Sequence, residues 1–222
     1  MNKIVESLDE TRRKINSIDF DAHWYRRVFH TFGASFLIFY VIPNDGWIGT
    51  IKIWIPILFV ALALSLEVLR LNGVISSEHF FGLRFYEKSR IGSYLFFGIG
   101  ALILLLLFPQ QIAVPCILCA SIGDPIMGET RLRRGRKSSI VVGFLVCMSF
   151  FIVTWHQNVM WVALLISILG GGFAVLGEIK KYWWIDDDFM VQMLPAITLF
   201  LIIIFLRYMD IDIVFKQIIF PG

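Results

Sequence analysis

Seven long apolar runs separated by short polar breaks take up most of this 222-residue chain, at roughly 28–43, 51–69, 91–108, 112–127, 138–155, 159–179 and 189–208. A helical bilayer crossing takes about 20 mostly apolar residues, and backbone polar groups left unpaired in hydrocarbon confine spanning chains to helices or closed barrels. The pattern therefore predicts an all-α integral membrane protein with about seven transmembrane helices. With 58% apolar residues, 17% charged residues and a mean hydropathy of +0.76, the chain holds no separate soluble catalytic domain. Residues 1–27 read as a cytoplasmic or interfacial amphipathic segment, and residues 28–222 as one multi-span membrane domain.

Charge supplies the orientation, because Lys and Arg in short loops stay on the cytoplasmic side. Seventeen of the 20 basic residues fall in the N-terminal segment, the 70–90 loop, the 131–137 loop and Lys180-Lys181; Lys52, Arg207 and Lys216 are the rest. Seven spans with a cytoplasmic N-terminus place every basic loop inside, and a short chain with little beyond its spans suggests a multi-pass protein of a prokaryotic cell membrane. The excess of 20 basic over 17 acidic residues is too small to indicate nucleic acid. The expected partners are membrane lipids.

Acidic residues border the same cytoplasmic ends: Glu67, Asp124, Glu178 and the run Asp186-Asp187-Asp188. A carboxylate at a membrane span is costly and marks function by default. Asp124 stands between Gly123 and Pro125, where a helix break would expose backbone to a polar cavity. Carboxylates suit Mg²⁺, which takes oxygen ligands and shares them with phosphate. Clustered cations suit the phosphates themselves. The turn holding Arg134, Arg136 and Lys137, followed by Ser138 and Ser139 at the start of a helix, has the makings of an anion site. No GxxxxGK[ST] loop is present. Cys116 and Cys119 form a CxxC inside an apolar run with no second ligand pair at metal spacing, and read as small packing residues. His30 beside an apolar run is a further polar candidate.

The ordered set Arg26-Arg27-x-x-His30, Glu67-x-x-Arg70, Gly123-Asp124-Pro125-x-x-Gly128, Gly135-Arg136-Lys137-Ser138, Gly171-Gly172-Phe173-Ala174 leading to Glu178, and Asp186-Asp187-Asp188 resembles the CTP-dependent polyprenol kinase family. That family includes dolichol kinase, phytol kinase and yeast-type diacylglycerol kinase. The resemblance implies γ-phosphoryl transfer from CTP to the hydroxyl of an isoprenoid alcohol at the cytoplasmic face. It implies Mg²⁺ on Asp124, Asp186, Asp187 and Glu178, nucleotide contacts from Arg70, Arg134, Arg136, Lys137, Ser138 and Ser139, and catalytic roles for Asp124 and Asp187. Glu67, His30 and Asp188 are the remaining candidates. Three features depart from the family pattern: Ile140-Val141 stand where a Glu-Gly pair is usual, a third Asp replaces an Asn, and Gln192 replaces a Pro.

Two other readings compete. A CTP:phosphatidate cytidylyltransferase-like enzyme would use similar residues but release pyrophosphate, and its longer C-terminal signature is not found here. An ion-coupled transporter would carry its carboxylates near the midplane of repeated halves, whereas these gather at one end.

Overall fold

A computed structural model describes residues 27–28, 30–80, 83, 85–180, 185–211, 213–215 and 217–220. The amphipathic segment expected over residues 1–27 lies, apart from Arg27, outside the described residues, as do Arg26 and Lys181. Among the described residues the protein is all helical. The order is α1 (His30–Val41), α2 (Gly46–Leu71), α3 (Ser93–Leu107), a continuous helical stretch Gln110–Trp155, α6 (Met160–Ile179) and α7 (Asp187–Tyr208).

Four of these stretches are long and apolar enough to cross a membrane: Gly46–Leu71, Gln110–Trp155, Met160–Ile179 and Asp187–Tyr208. The expected first and third spans are shorter helices, His30–Val41 and Ser93–Leu107. At 1.5 Å per residue the 15 residues of α3 reach about 22 Å, below the roughly 30 Å of a hydrocarbon core. The middle of α1, Gly33–Leu37, winds as a 3₁₀-helix.

The 46-residue stretch is not one rod. Gly135 has φ 83° and ψ 174°, which a residue with a Cβ rarely adopts, and the helix reverses there. The Ser139 hydroxyl donates to the Met127 carbonyl at 2.7 Å, Gly143 packs on the Met127 side chain, Gly123 on Cys147, and Trp155 Nε1 donates to the Gln111 carbonyl at 2.8 Å. Residues 110–134 (α4) and 136–155 (α5) are thus an antiparallel hairpin. The helix does not break at Asp124 as the flanking Gly123 and Pro125 suggest: a π-helical turn over Cys119–Gly123 widens α4 just before Asp124, and Pro125, which has no N–H to lose, continues the helix.

α4 is the central post, with Ile112, Cys116, Ile117, Cys119 and Ala120 fully buried. All three cysteines are free thiols buried in this core, Cys116 and Cys119 as packing residues and Cys147 beside them. α5, α7, α3 and α1 pack against it, and α6 packs on α5 and α7. α2 stands outside this bundle and rests mainly on α3, with Trp54, Leu58 and Leu62 more than half exposed, which suits a lipid-facing helix. At the end away from Asp124 the C-terminal segment is tied down: Gln110 pairs with Ile218 and Ile219, and Asn158 with Val214.

Candidate functional site

Gly177 sets how closely α6 and α7 meet, because a Cβ there would lie 2.7 Å from the Met190 backbone. With the two backbones in contact, Glu178 at the end of α6 faces the start of α7. The π turn in α4 brings Asp124 to the same level, where it faces Glu178, Asp188 and Asp187. His30, at the start of α1, completes the group with Nε2 at 3.6 Å from Asp188 Oδ2. Ligand atoms of His30, Asp124 and Asp188 all lie within 4.8 Å of one another, as do those of Asp186, Asp187 and Asp188. Four helices distant in sequence thus converge on one acidic centre.

Several details fit this centre to a cation. Glu178 is buried, and its Oε2 has no hydrogen-bond partner; a buried acceptor of that kind is costly unless something else meets it. Asp186 caps α7, its Oδ1 accepting from the Asp188 N–H at 3.1 Å. Burial, the charge of Asp188 and the hydrogen bond to Asp187 push the Asp186 carboxyl up to about 9. Carboxylates packed this closely must share protons or take up a positive ion. The oxygen donors match Mg²⁺, and the imidazole of His30 adds a nitrogen at the edge of the set.

Gln192 braces the centre from below. Its amide donates to the Asp188 carbonyl at 3.1 Å and to the Phe97 carbonyl at 3.3 Å, which joins α7 to α3. A proline, which has no side-chain amide, could make neither bond. Gly100 leaves room for this side chain, since a Cβ there would meet Gln192 Oε1 at 2.9 Å.

The cations are arranged differently from the expectation. Arg131 pairs with Glu178 at the edge of the acidic centre, and Arg27 and Arg133 both pair with Glu129 one half-turn earlier on α4. Arg134, Arg136 and Lys137 lie exposed at the tip of the hairpin. Arg134 is ten residues beyond Asp124, about 15 Å along the helix axis. Ser138 is half-buried at the tip, and Ser139 is buried and spent on the Met127 carbonyl. No short motif marks Glu129, Arg131 or Arg27 as partners, because the pairs form between helices or across a turn of one helix.

Glu67 and Arg70 are apart from this centre and serve a different purpose. Arg70 gives its five N–H groups to Glu67, Ser77 and the carbonyls of Lys88 and Arg90. Glu67 also accepts from the Gly92 N–H and the Tyr94 hydroxyl. This buried knot anchors the 72–92 loop and the start of α3 against α2, and leaves Arg70 no donor for a phosphate.

Beside the acidic centre runs an apolar cavity of about 610 Å³ between α1, α2 and α3, within the 300–1,000 Å³ usual for ligand sites. Phe36, Phe39, Phe59 and Phe97 line its length, Lys52 lies at one end, and His30, Glu87 and Tyr94 at the other. His30 therefore borders both the acidic centre and the cavity. The glycines of α6 serve helix packing instead, with Gly170 against Phe151 and Gly171 against the Met148 backbone. Compared with protein-family models, curated proteins and solved structures, the chain matches none, so its residues carry the functional reading.

Proposed function

We propose that this protein is a lipid-alcohol kinase of the CTP-dependent polyprenol kinase type, which phosphorylates the hydroxyl of an isoprenoid alcohol at the cytoplasmic face of a prokaryotic cell membrane. The observation that carries this reading is the double position of His30, which lines the apolar cavity and stands 3.6 Å from Asp188 in the acidic centre. A membrane alcohol and a water-soluble nucleotide can react only where an apolar site meets a polar one at the interface. In this reading seven apolar helices cross the bilayer, α1 and α3 included. The hairpin tip and the loop after α2 face the cytoplasm, as their basic residues favour.

Asp124, Asp187, Asp188 and Glu178 would hold Mg²⁺, with Asp186 fixing the start of α7. Mg²⁺ bound there would offset the negative charge of the triphosphate. The protein's own share is positioning, on which phosphoryl transfer chiefly depends. Arg131 stands next to the acids, where it can meet a phosphate group. The exposed Arg134, Arg136 and Lys137 extend the positive field outward and would draw the nucleotide in. His30 and Asp188 hold the alcohol's oxygen where it faces the γ-phosphorus. The oxygen of the lipid forms the new P–O bond, the bond to the β-phosphate bridge breaks, CDP leaves, and the hydroxyl proton passes to a carboxylate of the centre or to water.

The test is transfer of label from γ-labelled CTP or ATP to dolichol, undecaprenol, geranylgeraniol, farnesol, phytol and diacylglycerol by the purified protein in detergent. Label in a lipid phosphate, with CDP or ADP released, is expected. Pyrophosphate release, or no transfer to any alcohol, overturns the proposal.

A further inference from the structure

The apolar cavity has a closed end. On α2 it is lined by Lys52, Ile55, Pro56, Phe59, Val60 and Ala63, the spacing of a single helical face. Only residues 42–45 join α1 to α2, so the gap between the two helices must narrow toward that turn. Lys52 fastens it: its ammonium donates to the Ile42 carbonyl at 2.8 Å and to Asn44 Oδ1 at 2.7 Å, and lies 4.6 Å from the centre of the Phe39 ring. Beside it, a Cβ on Gly49 would lie 2.2 Å from the Asn44 carbonyl oxygen, which leaves no passage between the turn and α2. The other end reaches His30.

The length of the cavity follows from the helix that lines it. From Lys52 to Ala63 is eleven residues, about 16 Å at the α-helical rise. An extended chain advances about 1.2 Å per bond, one third of the span of an extended residue, so the slot takes about thirteen main-chain bonds. Each isoprene unit contributes four. At that end His30 lines the cavity with ligand atoms of Asp124 and Asp188 within 4.8 Å of its own, surroundings that accept a neutral hydroxyl and repel a carboxylate head group.

We propose that the cavity is a slot, closed at its Lys52 end, for one linear alcohol of three to four isoprene units, hydroxyl at His30 and tail toward Lys52. A longer polyprenol would have to bend out sideways between Ile38 and Phe59, both more than half exposed, and diacylglycerol would leave its second chain outside the slot. The hydroxyl head group rests on the kinase reading above, whereas the chain length rests on the geometry of α1 and α2 alone.

Binding without nucleotide separates the two. A fluorescent alkyl probe is displaced from the full-length protein in detergent by geraniol, farnesol, geranylgeraniol, undecaprenol or diacylglycerol. Farnesol and geranylgeraniol should compete about tenfold better than the other three, the effect of filling or missing apolar contacts in a pocket. Ile55→Trp fills the turn of α2 next to Lys52, three residues or about 4.5 Å, close to one isoprene unit. It should weaken geranylgeraniol about tenfold while sparing farnesol. Leu58→Trp, on the same helix but outside the cavity lining, should leave the profile unchanged. Equal competition by undecaprenol or diacylglycerol, or the same profile in Ile55→Trp as in wild type, overturns the slot. A shift in Leu58→Trp matching that in Ile55→Trp also overturns it. Selective binding of farnesol and geranylgeraniol without phosphorylation by any nucleotide would uphold the slot and remove the kinase, and rapid phosphorylation of undecaprenol with no length preference would do the reverse.

Discussion

His30 Nε2 stands 3.6 Å from Asp188 Oδ2, a contact between the first and last helices of the bundle. Both residues are buried, at 6% and 2% side-chain exposure, so the contact closes the bundle where the acidic centre meets the apolar cavity. It makes the centre sensitive to every helix that reaches it.

Like charges at the centre repel until a cation arrives, which gives two variants opposite behaviour in two conditions. Asp124→Asn and Asp188→Asn should melt higher than wild type in EDTA, because each removes one of the clustered carboxylates. With Mg²⁺ the order should reverse. Saturation at about 100 times Kd stabilises a binding-competent protein by roughly 2.7 kcal/mol, and the variants should gain less than half of that. Melting in detergent with and without Mg²⁺ checks both orders, and both variants should lose transfer activity. Wild-type turnover in a folded Asp124→Asn protein would take Asp124 out of the site.

The Glu67–Arg70 knot should act on stability rather than on nucleotide. Removing one partner of a buried ion pair strands the other, which typically costs about 3–5 kcal/mol. Glu67→Gln and Arg70→Met should therefore lower the melting midpoint sharply and expose the 72–92 loop to protease. Protein that remains folded should keep its KM for CTP. A raised KM with unchanged melting would return Arg70 to the nucleotide site.

How much of this was legible in the sequence depends on the distance over which each feature acts. The apolar runs are local, and hydropathy locates all of them; it cannot say that α1 would wind partly as a 3₁₀-helix or that Gly135 would fold a 46-residue stretch back on itself. Asp124, Glu178 and the three aspartates were visible because carboxylates at helix ends are rare enough to stand out, and the fold brings them together. Glu67-x-x-Arg70 has the spacing of an i,i+3 pair, yet only the loop returning through Lys88 and Arg90 makes it a closed knot. In the sequence the basic turn is one cluster, but a helix separates its members in space: Arg131 stays beside Glu178 while Arg134 is carried outward. Gln192 stood out only as a departure from a family pattern, and its amide bonds to Phe97 and Asp188 cross 95 residues and four residues respectively.

Backbone contact at Gly177 is what brings Glu178 to the aspartates, so a small added volume there should have a large effect on the site. Gly177→Ala places a methyl group 2.7 Å from the Met190 backbone, and neither helix backbone can yield as a flexible side chain would. Overpacking of this kind costs about 1–3 kcal/mol, and the helices must part to relieve it. Expected outcomes are a lower melting midpoint and a weaker response to Mg²⁺, read in the same melting assay. Gly172→Ala, which meets open space on the same helix, should behave as wild type; equal loss in both would mean that α6 tolerates no alanine and that Gly177 has no particular link to the centre.

Arg131 and the hairpin tip should separate in a similar way. Arg131 is half-buried against Glu178, so Arg131→Gln leaves a buried carboxylate without its cation and should lower both stability and kcat. Arg134 and Arg136 are exposed, and exposed substitutions usually change stability by no more than about 0.5 kcal/mol. Arg134→Gln with Arg136→Gln should therefore fold normally, yet raise the KM for CTP about fivefold at low ionic strength, where charge attracts over roughly 10–30 Å. In high salt the difference from wild type should vanish, because screening removes long-range attraction while sparing contacts made at the centre. Initial rates across a salt series decide between the two roles: a KM defect that persists in high salt would mean that the tip touches the nucleotide directly, and an unchanged KM at low salt would remove the tip from nucleotide capture altogether.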